Sequence, residues 1–222
     1  IRAPGRMQLT FGNESFLDEI AFAASIDPLE IRVRNLKDPR GLEVLEHLRK
    51  LANWEPRGTR PRDAGPFPHG RGVSYIKYEL ARTYVGIVAD VTVHRVSGKV
   101  GVDRVFVVHD CGQVINPDGL RNQIEGNVVQ TVSRTLIEEV TFNRSTVTSR
   151  DWSTYPILLF PDVPLVITEL IDRPMDMPWG AGEPTSSAVP SAIANAIFDA
   201  TGVRLRSVPF KSAKMLAGLK AA

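Results

Sequence analysis

The spacing of apolar residues changes once along this chain of 222 residues, and that change limits the possible folds. Residues 11–53 repeat apolar side chains at helical spacing, which predicts three helices. Residues 84–94 and 100–109 alternate apolar and polar positions around a Val-Ser-Gly-Lys turn, which predicts a β-hairpin. Helices followed by a hairpin and further mixed elements predict an α+β fold, with N-terminal helices, a mixed sheet that contains the hairpin, and packed helices.

A segment rich in Pro, Gly and Arg separates the two patterns. It covers residues 55–70 and predicts a loop, because Pro and Gly interrupt both helices and strands. The sequence therefore predicts three parts: a helical segment at 1–54, a linker at 55–70 and an α+β subdomain at 71–222.

Local signals predict where several elements begin and end. Asn13 is a candidate N-cap for the first helix, and Asp27 followed by Pro28 predicts the start of the second. Asn116 and Pro117 form a turn that leads into a long amphipathic helix. The later predicted elements are that helix at 118–138, a strand at 164–171, a helix at 185–200, a short basic strand, and a last helix at 211–220.

Composition excludes several classes of protein. Lys and Arg number 27 against 25 Asp and Glu, with no basic cluster, which argues against a dedicated nucleic-acid-binding protein. No run approaches the roughly 18 apolar residues of a membrane span. The single cysteine, Cys111, excludes an internal disulfide and a Cys-rich metal site, and no two of the four histidines have metal-ligand spacing. These features predict a cytoplasmic protein with no metal held by its own side chains, although periplasmic export of an assembled complex stays open.

The loop from Trp179 to Pro184 is the most unusual segment. Its Gly-x-Gly pattern precedes a helix, but a third glycine is missing and Glu183 would repel a phosphate there. One interpretation is a tight turn in which the helix dipole favours the charge of Glu183 at the cap. The other is a partly desolvated carboxylate on a glycine loop, suited to act as a base. The sequence leaves both open.

Four other residues are candidates for a structural or a functional role. Cys111 reads as a small buried residue, since His109 and Cys111 do not form a dyad by spacing on a strand. Gln123 and Gln130 are either ordinary polar helix residues or amides that bind a heterocyclic cofactor. Arg2 is either a frayed chain end or a functional cation.

A series of motifs, taken in order, resembles the molybdenum-cofactor-binding subunit of the xanthine dehydrogenase/aldehyde oxidase family, and in particular its isoquinoline and nicotinate dehydrogenase-like branch. The likeness covers nearly the whole chain. The motifs are Arg2-Ala3-Pro4-Gly5, the segment 13–21, Asp27-Pro28-Leu29-Glu30, the segment 32–36, Asp110-Cys111-Gly112, Asn116-Pro117, Gln123-Ile124-Glu125-Gly126, Tyr155-Pro156, Gly182-Glu183-Pro184 and the segment 192–196.

The resemblance implies an enzyme that hydroxylates an aldehyde or an N-heteroaromatic carbon with water as the oxygen source. Glu183 matches the family's catalytic general base, and Arg2 lies in the segment that lines the molybdenum site. Gln123 matches a helix position that faces the pterin, and Gly182 belongs to the cofactor-binding loop. The implied cofactors are molybdopterin, including its cytosine dinucleotide form, and [2Fe-2S] clusters on a partner subunit.

Subunits of this family are several times longer, and this chain resembles their C-terminal third. The resemblance therefore implies that an upstream portion or subunit completes the site and that an iron–sulfur subunit and a small-molecule substrate are partners. The alternative is a non-catalytic assembly module or a fragment inactive without that upstream part. In either case we expect exposed apolar surface on the hairpin at 84–109 and on the helix at 118–138.

Overall fold

The computed structural model describes residues 2–58 and 65–221, and the elements below are those of these residues. The helices are α1 (Arg6–Ala23), α2 (Pro28–Asn35), α3 (Pro39–Leu51), α4 (Pro117–Leu136), α5 (Pro184–Thr201) and α6 (Ser212–Ala221). The strands are β1 (His69–Tyr78), β2 (Thr83–Val93), β3 (Val100–Asp110) and β4 (Leu165–Leu170).

The four strands form one mixed sheet in the order β1-β2-β3-β4. Strands β1, β2 and β3 are antiparallel neighbours, and β4 runs parallel to β3. The hairpin of β2 and β3 pairs Val85 with His109 and Val93 with Val100, as the alternating pattern predicts. The α+β fold with a hairpin inside a mixed sheet is therefore confirmed.

Helices cover both faces of the sheet, so alternate residues of β2 and β3 enter two different apolar clusters. Val85, Ile87 and Val107 face α4 and α5, whereas Val88 and Phe106 face α3. Removing one such side chain from water contributes about 1.5–3 kcal/mol. The sheet is thus the middle of three layers, which explains why β2 is buried at nearly every position.

Helix α1 begins earlier than the sequence predicts. It starts at Arg6, and Asn13 lies inside it instead of at its N-cap. The cap position is Gly5, whose φ of 72° is a left-handed conformation that glycine adopts at little cost. The turn Arg2-Ala3-Pro4-Gly5 therefore leads directly into a helix.

The buried face of α1 is polar. Asp18 is fully buried and binds Arg57 at 2.8 Å and Arg204 at 2.7 Å, and Glu14 binds Arg32 at 2.9 Å. Buried carboxylates need such partners, because an unpaired buried charge is costly. Several large apolar residues of the helix, among them Leu9, Phe16 and Phe22, consequently lie on its exposed side.

The sequence did not predict strand β1. At two glycines its backbone lies so close to the backbone of α5 that no side chain would fit between them. An added Cβ would lie 2.2 Å from the carbonyl oxygen of Ala196 at Gly70, and 2.1 Å from that of Ala192 at Gly72. Only glycine at these two positions lets the backbones of β1 and α5 meet. The same strand carries Tyr78 at its end, so this contact fixes Tyr78 relative to α5.

Two further expectations are wrong. Residues 203–208 form no strand. The β2–β3 hairpin and the apolar stripe of α4 are buried under other elements of the chain, and Ile87, Val107 and Ile124 have no exposed surface. Apart from Val96 in the hairpin turn, most exposed large apolar side chains lie elsewhere, mainly on α1 and on irregular segments after α4, and include Leu9, Phe16, Phe142, Trp152, Leu159, Phe160, Met175 and Met177.

The division into 1–54, 55–70 and 71–222 stays a prediction. Residues 59–64 of the linker, and the terminal residues 1 and 222, lie outside the described residues, and β1 already begins at His69 within the linker's last two positions. No helix in the described ranges is both long and apolar enough to cross a membrane.

Candidate active site

The loop between β4 and α5 is fastened to three other parts of the chain. The backbone N–H of Trp179 donates to the carbonyl of Cys111 at 2.8 Å, just after β3. The hydroxyl of Thr83, at the start of β2, donates to the carbonyl of Gly180 at 3.1 Å. Arg2 Nε donates to the carbonyl of Gly182 at 2.5 Å. The loop is therefore held along its length before it reaches Glu183.

Glu183 occupies the N-cap position of α5 and Pro184 follows at the first helical position, but the Glu183 side chain does not cap the helix. Asn127 of α4 does so instead: its Oδ1 accepts from the backbone N–H of Ser186 at 3.3 Å and from the Ser186 hydroxyl at 2.5 Å. The Glu183 carboxylate is half-buried and turned toward Tyr78, whose hydroxyl donates to Oε2 at 2.6 Å.

Arg2 joins the chain start to α4. Its Nη2 donates to Gln123 Oε1 at 2.8 Å and its Nη1 to Gln130 Oε1 at 3.3 Å, while Arg134 donates to the Arg2 carbonyl at 3.2 Å. A guanidinium only donates, so both amides must present their oxygens to it. Their NH₂ groups remain without a partner among the described residues and are available to an acceptor.

The four residues that the resemblance marks thus lie in one place. Arg2 contacts both Gln123 and Gly182, and Gly182 precedes Glu183. These contacts join positions up to 180 residues apart, so no spacing rule could have found them. Tyr78 was missed altogether, because β1 was not predicted.

Burial, and then the hydrogen bond to the Glu183 carboxylate, raise the pKa of Tyr78 well above its usual range. The phenol therefore stays protonated at neutral pH and acts as a donor. Two arginines lie beside this region. Arg6 Cζ is 6.0 Å from the ring centre of Tyr78, and Arg82 Cζ is 5.0 Å from that of Trp179.

Packing within the described part of the chain does not require glycine at positions 180 and 182. An added Cβ at either position would meet no atom within 4 Å, and neither residue has a positive φ. The space in front of the loop is therefore open. A cavity of about 220 Å³ adjoins it, with Cys111, Gln123 and Trp179 among its lining residues.

The segment at the end of β3 has no catalytic pair. His109 is fully buried and both its ring nitrogens lack a partner among the described residues. Cys111 is buried as expected, and burial raises the pKa of its thiol, which makes it a poor nucleophile. Asp110 is bound instead by Arg40 and Arg173. Within the described ranges no three His, Cys, Asp or Glu residues could together hold a metal ion.

Residues 48–164, which run from the end of α3 to the start of β4, match the family model of the molybdopterin cofactor-binding domain. The chain belongs to this family. The match confirms the resemblance to the molybdenum-cofactor-binding subunits of the xanthine dehydrogenase family and makes molybdopterin the cofactor of the family.

Individual relatives extend the likeness over almost the whole chain. It is 42% identical over 228 residues to a subunit of the nicotinate dehydrogenase of Pseudomonas putida, covering 99% of this chain and 19% of that protein. It is 31% identical over 214 residues to the beta subunit of the isoquinoline 1-oxidoreductase of Brevundimonas diminuta, covering 96% and 26%. The chain therefore spans about a fifth to a quarter of the length of these curated relatives.

Solved structures confirm the fold. The aldehyde oxidoreductase from Desulfovibrio gigas superposes with a TM-score of 0.83 over 99% of this chain and 41% of that one, at 16% sequence identity.

The residues of this surface fit a molybdopterin. The guanidinium of Arg2 and the amide NH₂ groups of Gln123 and Gln130, which have no partner in the described part of the chain, offer donors to an acceptor-rich, anionic group. The open space in front of Gly180 and Gly182 lets such a group approach the backbone.

Proposed function

We propose that this chain supplies the catalytic base and part of the cofactor-binding surface of a molybdenum hydroxylase. The enzyme would oxidise an aldehyde or an N-heteroaromatic carbon with water as the oxygen source. The observation that carries the proposal is the meeting of Glu183 with Arg2, Gln123 and Gly182 at one open surface.

We propose further that the chain acts as the C-terminal portion of this enzyme and that an upstream portion completes the site. Its coverage of about a fifth to a quarter of the relatives' length supports its being one portion of a longer enzyme. Molybdopterin, in its plain or cytosine dinucleotide form, would supply the two-electron redox chemistry, and [2Fe-2S] clusters on a partner subunit would carry the electrons away. Arg2, Gln123 and Gly182 would hold the cofactor.

Glu183 would act as the general base. Its Oε2 is occupied by Tyr78, and its Oε1 has no partner among the described residues, so Oε1 is the oxygen that can take the proton from the attacking hydroxyl. Arg2 binds the carbonyl of Gly182, the residue before Glu183. From there its positive charge would stabilise negative charge that develops on oxygen during the reaction.

A non-catalytic assembly module is the second candidate. The exposed apolar side chains on α1 and after α4 favour it, since monomeric proteins rarely expose large apolar patches. Metal analysis separates the two: a complex of this chain with its upstream portion should contain stoichiometric molybdenum if the chain is part of the site, and none if it is only a module.

The decisive test is Glu183→Gln in the holoenzyme. Loss of a general base typically lowers turnover by about 10²–10⁴-fold, and loss of a sole base can cost more. Molybdenum content and the thermal midpoint should stay at the parent values. Glu55→Gln is the matched control, because Glu55 is exposed and has no described partner. Turnover of Glu183→Gln within a few-fold of the parent would refute the assignment.

A further inference from the structure

We infer that Tyr78 is the positioning residue for Glu183, holding its carboxylate ready to accept a proton. This inference rests on the proposed function, because it gives Glu183 the role of base. Tyr78 is only 7% exposed, and its hydroxyl donates to Glu183 Oε2 at 2.6 Å across 105 positions of sequence.

The hairpin turn between β1 and β2 holds the loop at two points. Tyr78 and Thr83 are the last register pair of the two strands. Tyr78 binds the Glu183 carboxylate, and Thr83 binds the carbonyl of Gly180 three residues earlier in the loop. The same pair of residues that closes the hairpin therefore sets where the loop lies.

The turn itself has a defined and strained conformation. Glu79 and Leu80 have φ values of 44° and 71°, a region that costs a residue other than glycine about 1–3 kcal/mol. Backbone hydrogen bonds hold it, from Ala81 N–H to the Glu79 carbonyl at 3.0 Å and from Arg82 N–H to the Tyr78 carbonyl at 3.3 Å. A strained turn kept in place beside the candidate base is consistent with a positioning role.

Glu183 has no other restraint on its side chain. It forms no ion pair among the described residues, and Asn127 has taken over the capping of α5. Without the phenol the carboxylate could adopt other rotamers, including one that caps the helix. Tyr78 selects the orientation in which Oε1 is free to accept a proton.

The charged groups around this contact are few. Arg6 of α1 lies 6.0 Å from the Tyr78 ring centre, Glu79 follows Tyr78 in the turn, and Arg2 binds the Gly182 carbonyl. None of them replaces the phenol as a donor to Oε2.

The first test is Tyr78→Phe in the holoenzyme. The ring keeps its packing and only the hydroxyl is lost. We expect kcat to fall about tenfold or more with KM nearly unchanged, since small misplacement of a catalytic group costs up to about 10²-fold. A parental kcat, or a rise in KM with kcat unchanged, would overturn the inference.

Tyr84→Phe is the matched control. Tyr84 is 3% exposed and also donates to a carboxylate, Asp38 Oδ2 at 3.0 Å, but on the face of the sheet that carries α3. Its loss should leave kcat and KM at the parent values. If Tyr84→Phe had the same effects as Tyr78→Phe, both would be caused by destabilisation of the sheet, and the inference would be wrong.

A second test needs no turnover. A double-mutant cycle of Tyr78→Phe and Glu183→Ala, neither of which can form the hydrogen bond, followed by chemical unfolding, should show a coupling of about tenfold in the unfolding equilibrium constant, the size typical of a hydrogen bond to a charged group. Additive effects would show that the two side chains do not interact.

The two hypotheses fail differently. If Glu183→Gln abolishes turnover but Tyr78→Phe keeps the parental kcat, the proposed function stands and the inference is wrong. If Glu183→Gln keeps parental turnover, the proposed function is wrong whatever the cycle shows, and the positioning role falls with it.

Discussion

Replacing Gly72 with alanine should disturb the fold and the candidate active site together. The new Cβ would lie 2.1 Å from the carbonyl oxygen of Ala192 and 2.2 Å from the backbone nitrogen of Ala196. Ordinary contacts begin near 3.4 Å, so β1 and α5 would have to separate by about 1 Å or more. Neither colliding atom can rotate away, because both belong to the helix backbone.

The expected cost follows from that separation. Overpacking a core costs typically about 1–3 kcal/mol and sometimes more, and a collision with backbone places Gly72→Ala at the upper end, near 3 kcal/mol. For a protein of this size that corresponds to a fall in the thermal midpoint of about 6–12 °C. Tyr78 lies on β1 and Glu183 at the start of α5, so their hydrogen bond should lengthen and turnover of the holoenzyme should fall as well.

Chemical unfolding and calorimetry measure the effect, with Gly101→Ala as the control. At Gly101 an added Cβ would lie 3.9 Å from the nearest atom, the Thr92 carbonyl oxygen, which is an ordinary contact. We expect Gly101→Ala to stay within about 1 kcal/mol of the parent. If Gly72→Ala were as stable as Gly101→Ala, the close approach of β1 and α5 would be refuted.

Two other substitutions test separate features. Burial lowers the pKa of His109 to about 4, and the charge of Asp110 offsets part of this effect. The imidazole therefore binds a proton below about pH 6.5 in the unfolded chain but only below about pH 4 in the folded chain. Stability should therefore fall by about 2 kcal/mol from pH 7.5 to pH 5, and urea unfolding of His109→Leu should lack this loss; an equal loss in both proteins would contradict the assignment. Arg2→Ala should lower turnover of the holoenzyme at least about tenfold with the protein still folded, because preorganised charge contributes about 3–4 kcal/mol to some barriers. If Arg2→Ala kept the parental turnover, Arg2 would have no catalytic role.

Much of the fold could be predicted because its signals are local. Asp27 accepts from two backbone N–H groups at the start of α2, and Asn116 accepts from Gly119 N–H at the start of α4, as cap residues do. The alternating pattern of β2 and β3 reflects clusters on the two faces of the sheet. Such signals depend only on neighbours in sequence.

The errors arose where distant residues decide the structure. Helix α1 buries Glu14 and Asp18 because Arg32 and Arg57 lie beside them, and no pattern within the helix reveals those partners. Strand β1 was missed because the surface on which it packs belongs to α5, which is distant in sequence. The candidate site repeats this lesson, since Arg2 and Tyr78 reach Gly182 and Glu183 only through the fold.

Two pairs of glycines in the chain differ in what requires them, and they should have different evolutionary histories. Gly70 and Gly72 are required by the meeting of two backbones, whereas Gly180 and Gly182 face open space and contribute nothing to packing within the chain. A descendant that lost its catalytic role but still had to fold would be free to replace the second pair and not the first. Substitution at positions 180 and 182, with Gly70 and Gly72 of β1 retained, would therefore mark a branch of the family that keeps the fold but has lost the catalytic activity.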